Sequence, residues 1–149
     1  MHALVSAPPR LPFILRLLWA APMSLFGLSL GLSILLAGGR CHILNGCTSA
    51  LLFRGPLADW MLAHHPAGRM RAMANGHIVI AAASGLATRT LAHELEHVRQ
   101  AERWGPLFPF LYLSSSTWQC LHGRSAYRDN RFEVAARAAE ETTDATLKS

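Results

Sequence analysis

The spacing of apolar positions changes character several times along this chain. From Leu17 to Gly39 there is no charged residue, and Leu17–Ala37 carries 15 apolar residues in 21, broken only by hydroxyls, glycines and Pro22. A helix needs about 20 residues to cross the hydrocarbon layer, whereas the core of a secretory leader has about 7–15. A single N-terminal membrane anchor is therefore the leading expectation, with Trp19 and Arg16 as interfacial flank. A hydrophobic helix packed on the domain or in the membrane surface, and a cleaved leader, are the other two readings. Gly27 and Gly31 fall on one helix face, a pairing common enough in glycine-bearing apolar runs to carry no weight alone.

Past Gly39 the pattern shortens. Two short runs flank Asn45-Gly46, a two-residue type I′ turn, and predict a hairpin with Leu44 opposite Cys47 and Cys41 opposite Ala50. Pro56–Ala63 reads as a short helix, and His64 and His65 as solvated residues of the turn after it. The β-branched run His77–Ala82 predicts a third strand. Leu91, Leu95 and Val98 fall at i, i+4 and i+7, with Thr88 or Thr90 as N-cap and Trp104-Gly105-Pro106 as the stop, which predicts a helix. Leu107–Leu121 reads as a buried helix, and residues 130–143 as an Ala- and Glu-rich one. The sum is an α+β fold: an N-terminal hydrophobic helix, a small three-stranded sheet with a hairpin, and two chemistry-bearing helices. Residues 1–39 form the hydrophobic N-terminal segment and 40–149 the folded domain.

Composition narrows the function classes. With 149 residues the chain has the size of one domain, and 51% hydrophobic against 15% charged residues excludes disorder. The net charge is +5, with 13 of the 14 cations arginine, yet these are scattered and form no dense basic run, so nucleic acid is not an expected partner. Three cysteines without a CxxC pair give neither a disulfide framework nor a thiolate metal site.

The informative residues are His93-Glu94-Leu95-Glu96-His97. On a helix, positions i and i+4 share a face, so both imidazoles reach one Zn²⁺ while Glu94 lies beside it. Zinc brings the pKa of a bound water to about 7, Glu94 takes the proton, and peptide hydrolysis follows. A third protein ligand is required. The three-histidine variant of the motif is excluded, because Gln100 and Arg103 stand where it needs glycine and histidine. Glu133, opening the last helix, is the preferred ligand. Glu140, seven residues on, is the alternative ligand or a group that orients a histidine N–H. Tyr127, with His122 and Arg128 as competitors, is the candidate for stabilising a developing oxyanion. Arg99, Arg103 and Arg128 are placed to bridge Glu96, Glu102 and Asp129, clamping the two helices.

With these residues in place, the stretch from Gly76 to about residue 140 resembles the gluzincin-type zinc metallopeptidases, in particular compact members with an N-terminal hydrophobic segment. The matching segments are Gly76–Ile80, Ala92–Gln100, Trp104–Phe108 and Ala126–Glu133. The resemblance implies a zincin-like domain over 40–149, zinc as cofactor, a peptide or protein substrate, Glu133 as third ligand, and His77–Ala82 as an edge strand that pairs with extended substrate. It departs from the pattern at Glu96 and Arg99, and at Arg137, which stands where better-known members place an aspartate that orients a histidine. A catalytically silent zinc-binding, membrane-associated interaction module is the runner-up, distinguished by a closed coordination sphere.

Overall fold

The computed structural model describes residues 12–45, 48–66 and 68–148. The apolar run expected as one helix is two, α1 (Phe13–Trp19) and α2 (Ala21–Leu36), meeting at the fully buried Ala20. Pro22 explains the break: it offers no N–H and its ring crowds the carbonyl four residues back, so a proline is tolerated only in a helix's first turn. Among the described residues, no helix is long and apolar enough to cross a membrane.

Among the described residues the sheet has four strands, not three. β1 (Arg40–Leu44) pairs antiparallel with β2 (Ala50–Arg54), β2 runs parallel to β4 (Ile78–Ala81), and β4 pairs antiparallel with β3 (Ala72–Asn75), giving the order β1-β2-β4-β3. The unexpected strand is β3, whose Ala-Met-Ala-Asn lacks β-branched residues and is extended because it pairs with β4 across the Asn75–Gly76 turn. This makes β4 an interior strand; the edges are β1 and β3, so the expectation of an edge strand at His77–Ala82 is wrong. The hairpin register also differs. Leu44 faces Ala50 and Cys41 faces Phe53, so the connection spans residues 45–49 instead of two. The expected type I′ turn includes Gly46 and, with Cys47, lies outside the described residues.

Alternation along β4 divides the core into layers. Ile78 and Ile80 face α2 and α3 (Pro56–Ala63), packing with Ile34, Phe53, Ala58 and Leu62. Val79 and Ala81 face the other way, toward Val98 of α4 (Thr88–Trp104). A third cluster of Ala20, Ala101, Phe108 and Phe132 joins α4 to α5 (Phe108–Leu121) and α6 (Arg131–Lys148). Between α4 and α5 lies a 3-10 turn, Gly105–Leu107, so α4 stops where Trp104-Gly105-Pro106 predicts.

Gly27 and Gly31 carry weight after all. A Cβ on Gly31 would stand 2.7 Å from the Phe53 ring, and one on Gly27 2.8 Å from the Asn75 carbonyl oxygen, so both glycines let α2 lie directly on the sheet. The outer face of α2 exposes Leu25, Phe26, Leu32 and Leu36. The expectation of a buried helix over Leu107–Leu121 is corrected in the same way: of its large apolar residues only Phe108 is buried, while Phe110, Leu113, Trp118 and Leu121 face outward. Apolar residues surround α5, but the fold supplies a partner for one side.

Candidate metal centre

α4 brings His93 and His97 onto one face, and α6 crosses it so that Glu133, in its first turn, meets them. Asn130 sets that entry. Fully buried, it caps α6 by accepting from the Phe132 N–H at 2.9 Å, and its side-chain amide donates to the Tyr112 carbonyl at 3.1 Å and to Ser116 Oγ at 2.8 Å. α6 is thus tied to α5 at the residue where it must start.

The ligand-type atoms converge closely. His93 Nε2 and His97 Nε2 are 3.2 Å apart, and each lies 3.3 Å from one oxygen of Glu133. A tetrahedral ion with arms of about 2.0–2.1 Å has ligand-to-ligand edges of about 3.3–3.4 Å, so the separations fit one zinc-sized ion. His93, His97 and Glu133 are the group of the described residues whose donor atoms meet this closely.

Hydrogen bonding fixes the rings for this task. Gln100 Nε2 donates to the Phe132 carbonyl at 3.0 Å, so its Oε1, 2.9 Å from His97 Nδ1, must accept from that nitrogen. His97 therefore carries a proton on Nδ1 and turns Nε2 toward Glu133. On the other ring, His93 Nδ1 lies 2.9 Å from Glu140 Oε1, an ion-pair contact off the direction a hydrogen bond needs; Glu140 is met on its far side by Arg89 at 3.2 Å. Glu140 thus sits behind a histidine and is absent from the converging group. Two Nε2 atoms facing each other beside a carboxylate demand a cation between them, whether proton or metal.

The ionisation of the cluster carries the same demand. Burial lowers the His97 pKa, but the hydrogen bond to Glu133 and the charges of Glu94 and Glu133 outweigh it, leaving a net rise. Burial pushes the Glu133 carboxyl up, yet hydrogen bonds from His93 and His97, the charge of His97 and the Tyr112 hydroxyl hold it well below the usual carboxylate range. Glu94, 5% exposed, is pushed up to about 7, chiefly by burial and further by Glu133 and Glu140, against the pull of the two histidines. Its Oε2 has no hydrogen-bond partner.

Two tyrosines complete the shell around Glu133. Tyr127, half-exposed, is pushed up to about 12 by burial, by the charge of Glu133 and by a hydrogen bond to it. Tyr112, not among the candidates from sequence, donates to Glu133 Oε1 at 2.7 Å and stacks on Phe132 with ring centroids 6.2 Å apart. Gln100 was also missed. Its signal was in reach, since i+3 from a histidine on a helix is a neighbouring position, whereas Tyr112 lies on an element whose approach to Glu133 no local pattern encodes.

Glu96, Arg99 and Arg137, which depart from the gluzincin pattern, are not among the converging group. Arg99 pairs with Glu96 at 3.0 Å along the exposed side of α4. Arg137 donates to the Arg128 carbonyl. The expected arginine clamp between helices is replaced: Glu102 pairs with Arg16 and His77, and Asp129 accepts from the Ser125 N–H. His64 bonds to its own helix through the Trp60 carbonyl at 2.8 Å, away from the centre. Compared with known proteins, the chain matches no family model, no curated protein and no solved structure.

Proposed function

We propose that the chain is a zinc-dependent metallopeptidase working at a membrane surface. The observation that carries this reading is the convergence of His93, His97 and Glu133 at tetrahedral-edge distances, with the buried Glu94 on the same helix. When bound, zinc supplies Lewis-acid polarisation of a carbonyl and acidifies a water. Glu94, with one oxygen unengaged, accepts the water's proton and returns it to the leaving amine. Tyr127, on the more exposed side of Glu133, donates to the carbonyl oxygen as negative charge develops. β3, the edge strand on the far side of β4, offers its free side to an extended peptide. The exposed apolar residues of α1, α2 and α5 support a position in the membrane interface without a spanning helix.

Glu94→Gln tests the reading. The amide keeps the size of the side chain but cannot take a proton, so zinc content and folding should persist while peptide hydrolysis falls by about 10²–10⁴-fold. If wild type cleaves no member of a broad peptide library and the variant behaves identically, the silent zinc-binding module replaces the enzyme.

A further inference from the structure

Ile43, Leu51 and Ile78 are register partners across β1, β2 and β4, so their side chains form one row on the sheet face that α2 covers. Facing that row, Ala21, Ser24, Leu25 and Leu28 recur at i, i+3, i+4 and i+7 along one side of α2, and Leu17 and Leu18 of α1 stand beside them. The helical stripe and the strand row do not close on each other. Between them lies a cavity of about 370 Å³ with an almost wholly apolar lining.

The lining selects the chemistry of what it can hold. Among the described residues that form it there is no Lys, Arg, Asp or Glu. Ser24 and His77 are already engaged: Ser24 Oγ accepts from the His77 backbone N–H at 3.0 Å and lies 3.2 Å from Nδ1, while Nε2 lies 3.2 Å from Glu102, a buried tie between α2, the sheet and α4. An ordered water needs about two to four polar partners, and a charged ligand would be buried unpaired. An aliphatic chain meets neither obstacle, since each methylene it buries strengthens binding about fourfold. A cavity of about 150 Å³ takes a benzene ring, so this one has room for a chain of on the order of ten carbons. Exposure shows where such a chain enters. Ile78, at the floor, is 4% exposed, whereas Leu18, Leu25 and Ile43 are 63%, 65% and 69% exposed, so the mouth lies between α1, α2 and the edge strand β1. Its rim is thus part of the uncovered apolar surface of α1 and α2.

We propose that this cavity binds one acyl chain of a bilayer lipid, which enters past Leu18, Leu25 and Ile43 and leaves its headgroup outside at the mouth. The chain runs between α2 and the row of Ile43, Leu51 and Ile78, and so fastens α1 and α2 to the membrane through a lipid held in the fold. The proposal rests on the membrane-surface part of the proposed function and not on the metal centre, which α4 carries on the opposite face of the sheet.

The test uses the full chain and vesicles of phosphatidylcholine and phosphatidylglycerol in which one acyl chain carries a diazirine near its methyl end. After photolysis, peptide mass spectrometry should map adducts to Leu51 and Ile78 at the floor as well as to exposed residues such as Phe110 and Trp118. Ala21→Trp puts an indole into the cavity and should cut the floor adducts by about tenfold or more, while labelling of α5 persists and the thermal midpoint shows a folded chain. Ile43→Glu, on the exposed edge, sets a charge at the mouth and should act in the same direction. Adducts confined to exposed residues of α1, α2 and α5 would overturn the proposal and leave the membrane-surface reading standing; no adduct anywhere would remove both. Floor adducts undiminished in both folded variants would overturn it as well. The same diazirine chain supplied as a free fatty acid without vesicles should label the floor less than the vesicle lipid does. Equal labelling would assign the cavity to free fatty acids, and a lipid-free dimer dissociated by Ile43→Glu would assign it to a second copy of the chain; either result overturns the bilayer lipid as occupant.

Discussion

Gln100 decides which nitrogen of His97 faces Glu133, because its amide is itself oriented by the Phe132 carbonyl. Such outer contacts tune affinity while the ligands create it. His93→Ala, His97→Ala and Glu133→Ala should each abolish stoichiometric zinc binding, whereas Glu140→Ala, Gln100→Ala and Tyr112→Phe should weaken it by about 10–100-fold. Calorimetric titration separates the two groups; loss of binding in Glu140→Ala with retention in Glu133→Ala would move the third ligand. The pH dependence has a definite sign. Metal binding needs His97 deprotonated at Nε2, and its pKa is raised, so zinc must displace a proton at pH values above the ordinary histidine range. Affinity should therefore fall as pH drops, starting above about 6.5; a flat profile from pH 8 to 6 would contradict this. At this scale the sequence was legible where one helix carries the geometry, as with His93, Glu94 and His97. Tyr112 was hidden because its contact with Glu133 is made by a separate helix.

α2 shows why apolar runs are hard to assign from sequence. Its residues are apolar on every side, which suits a membrane, a core or both. The structure buries Gly27, Gly31 and Ile34 against the sheet, packs Leu28 and Leu30 partly into the same core, and leaves Leu25, Phe26, Leu32 and Leu36 outward. Removing residues 1–38 would strip Ala20 and Ile34 from the core, so the truncated chain should aggregate or lose its cooperative thermal transition. A soluble, folded 39–149 fragment would show that α2 is an accessory. Gly31→Ala places a methyl against Phe53, itself 2% exposed, and should cost about 1–3 kcal/mol, read as a lowered denaturation midpoint. Ser33→Ala, on the exposed side, should stay within about 0.5 kcal/mol. The strands were legible where a β-branched run or a turn signal marked them: His77–Ala82 announces β4 and Asn45-Gly46 flags β1 and β2, but β3 exists only through its pairing and was invisible to local pattern.

Across the whole molecule, apolar residues of α1, α2 and α5 remain uncovered, among them Trp19, Phe26, Phe110 and Trp118. With a net charge of +5, vesicles containing an anionic lipid should bind the protein and blue-shift its tryptophan emission, more weakly at high salt. Emission unchanged by vesicles would remove the membrane from the account. The α+β class was readable from the alternation of periods, but the mixed strand order, which puts β4 inside the sheet and β3 at its edge, depends on long-range pairing that no local spacing specifies. The central claim is that α4 and α6 together hold one catalytic ion, and the most direct measurement is a crystal structure of the zinc-loaded protein with anomalous data at the zinc edge. The account predicts one ion bound by His93 Nε2, His97 Nε2 and the Glu133 carboxylate at about 2.0–2.2 Å, with a remaining position open to water. An ion closed off by four protein ligands, or no anomalous peak between α4 and α6 at full zinc loading, would contradict it.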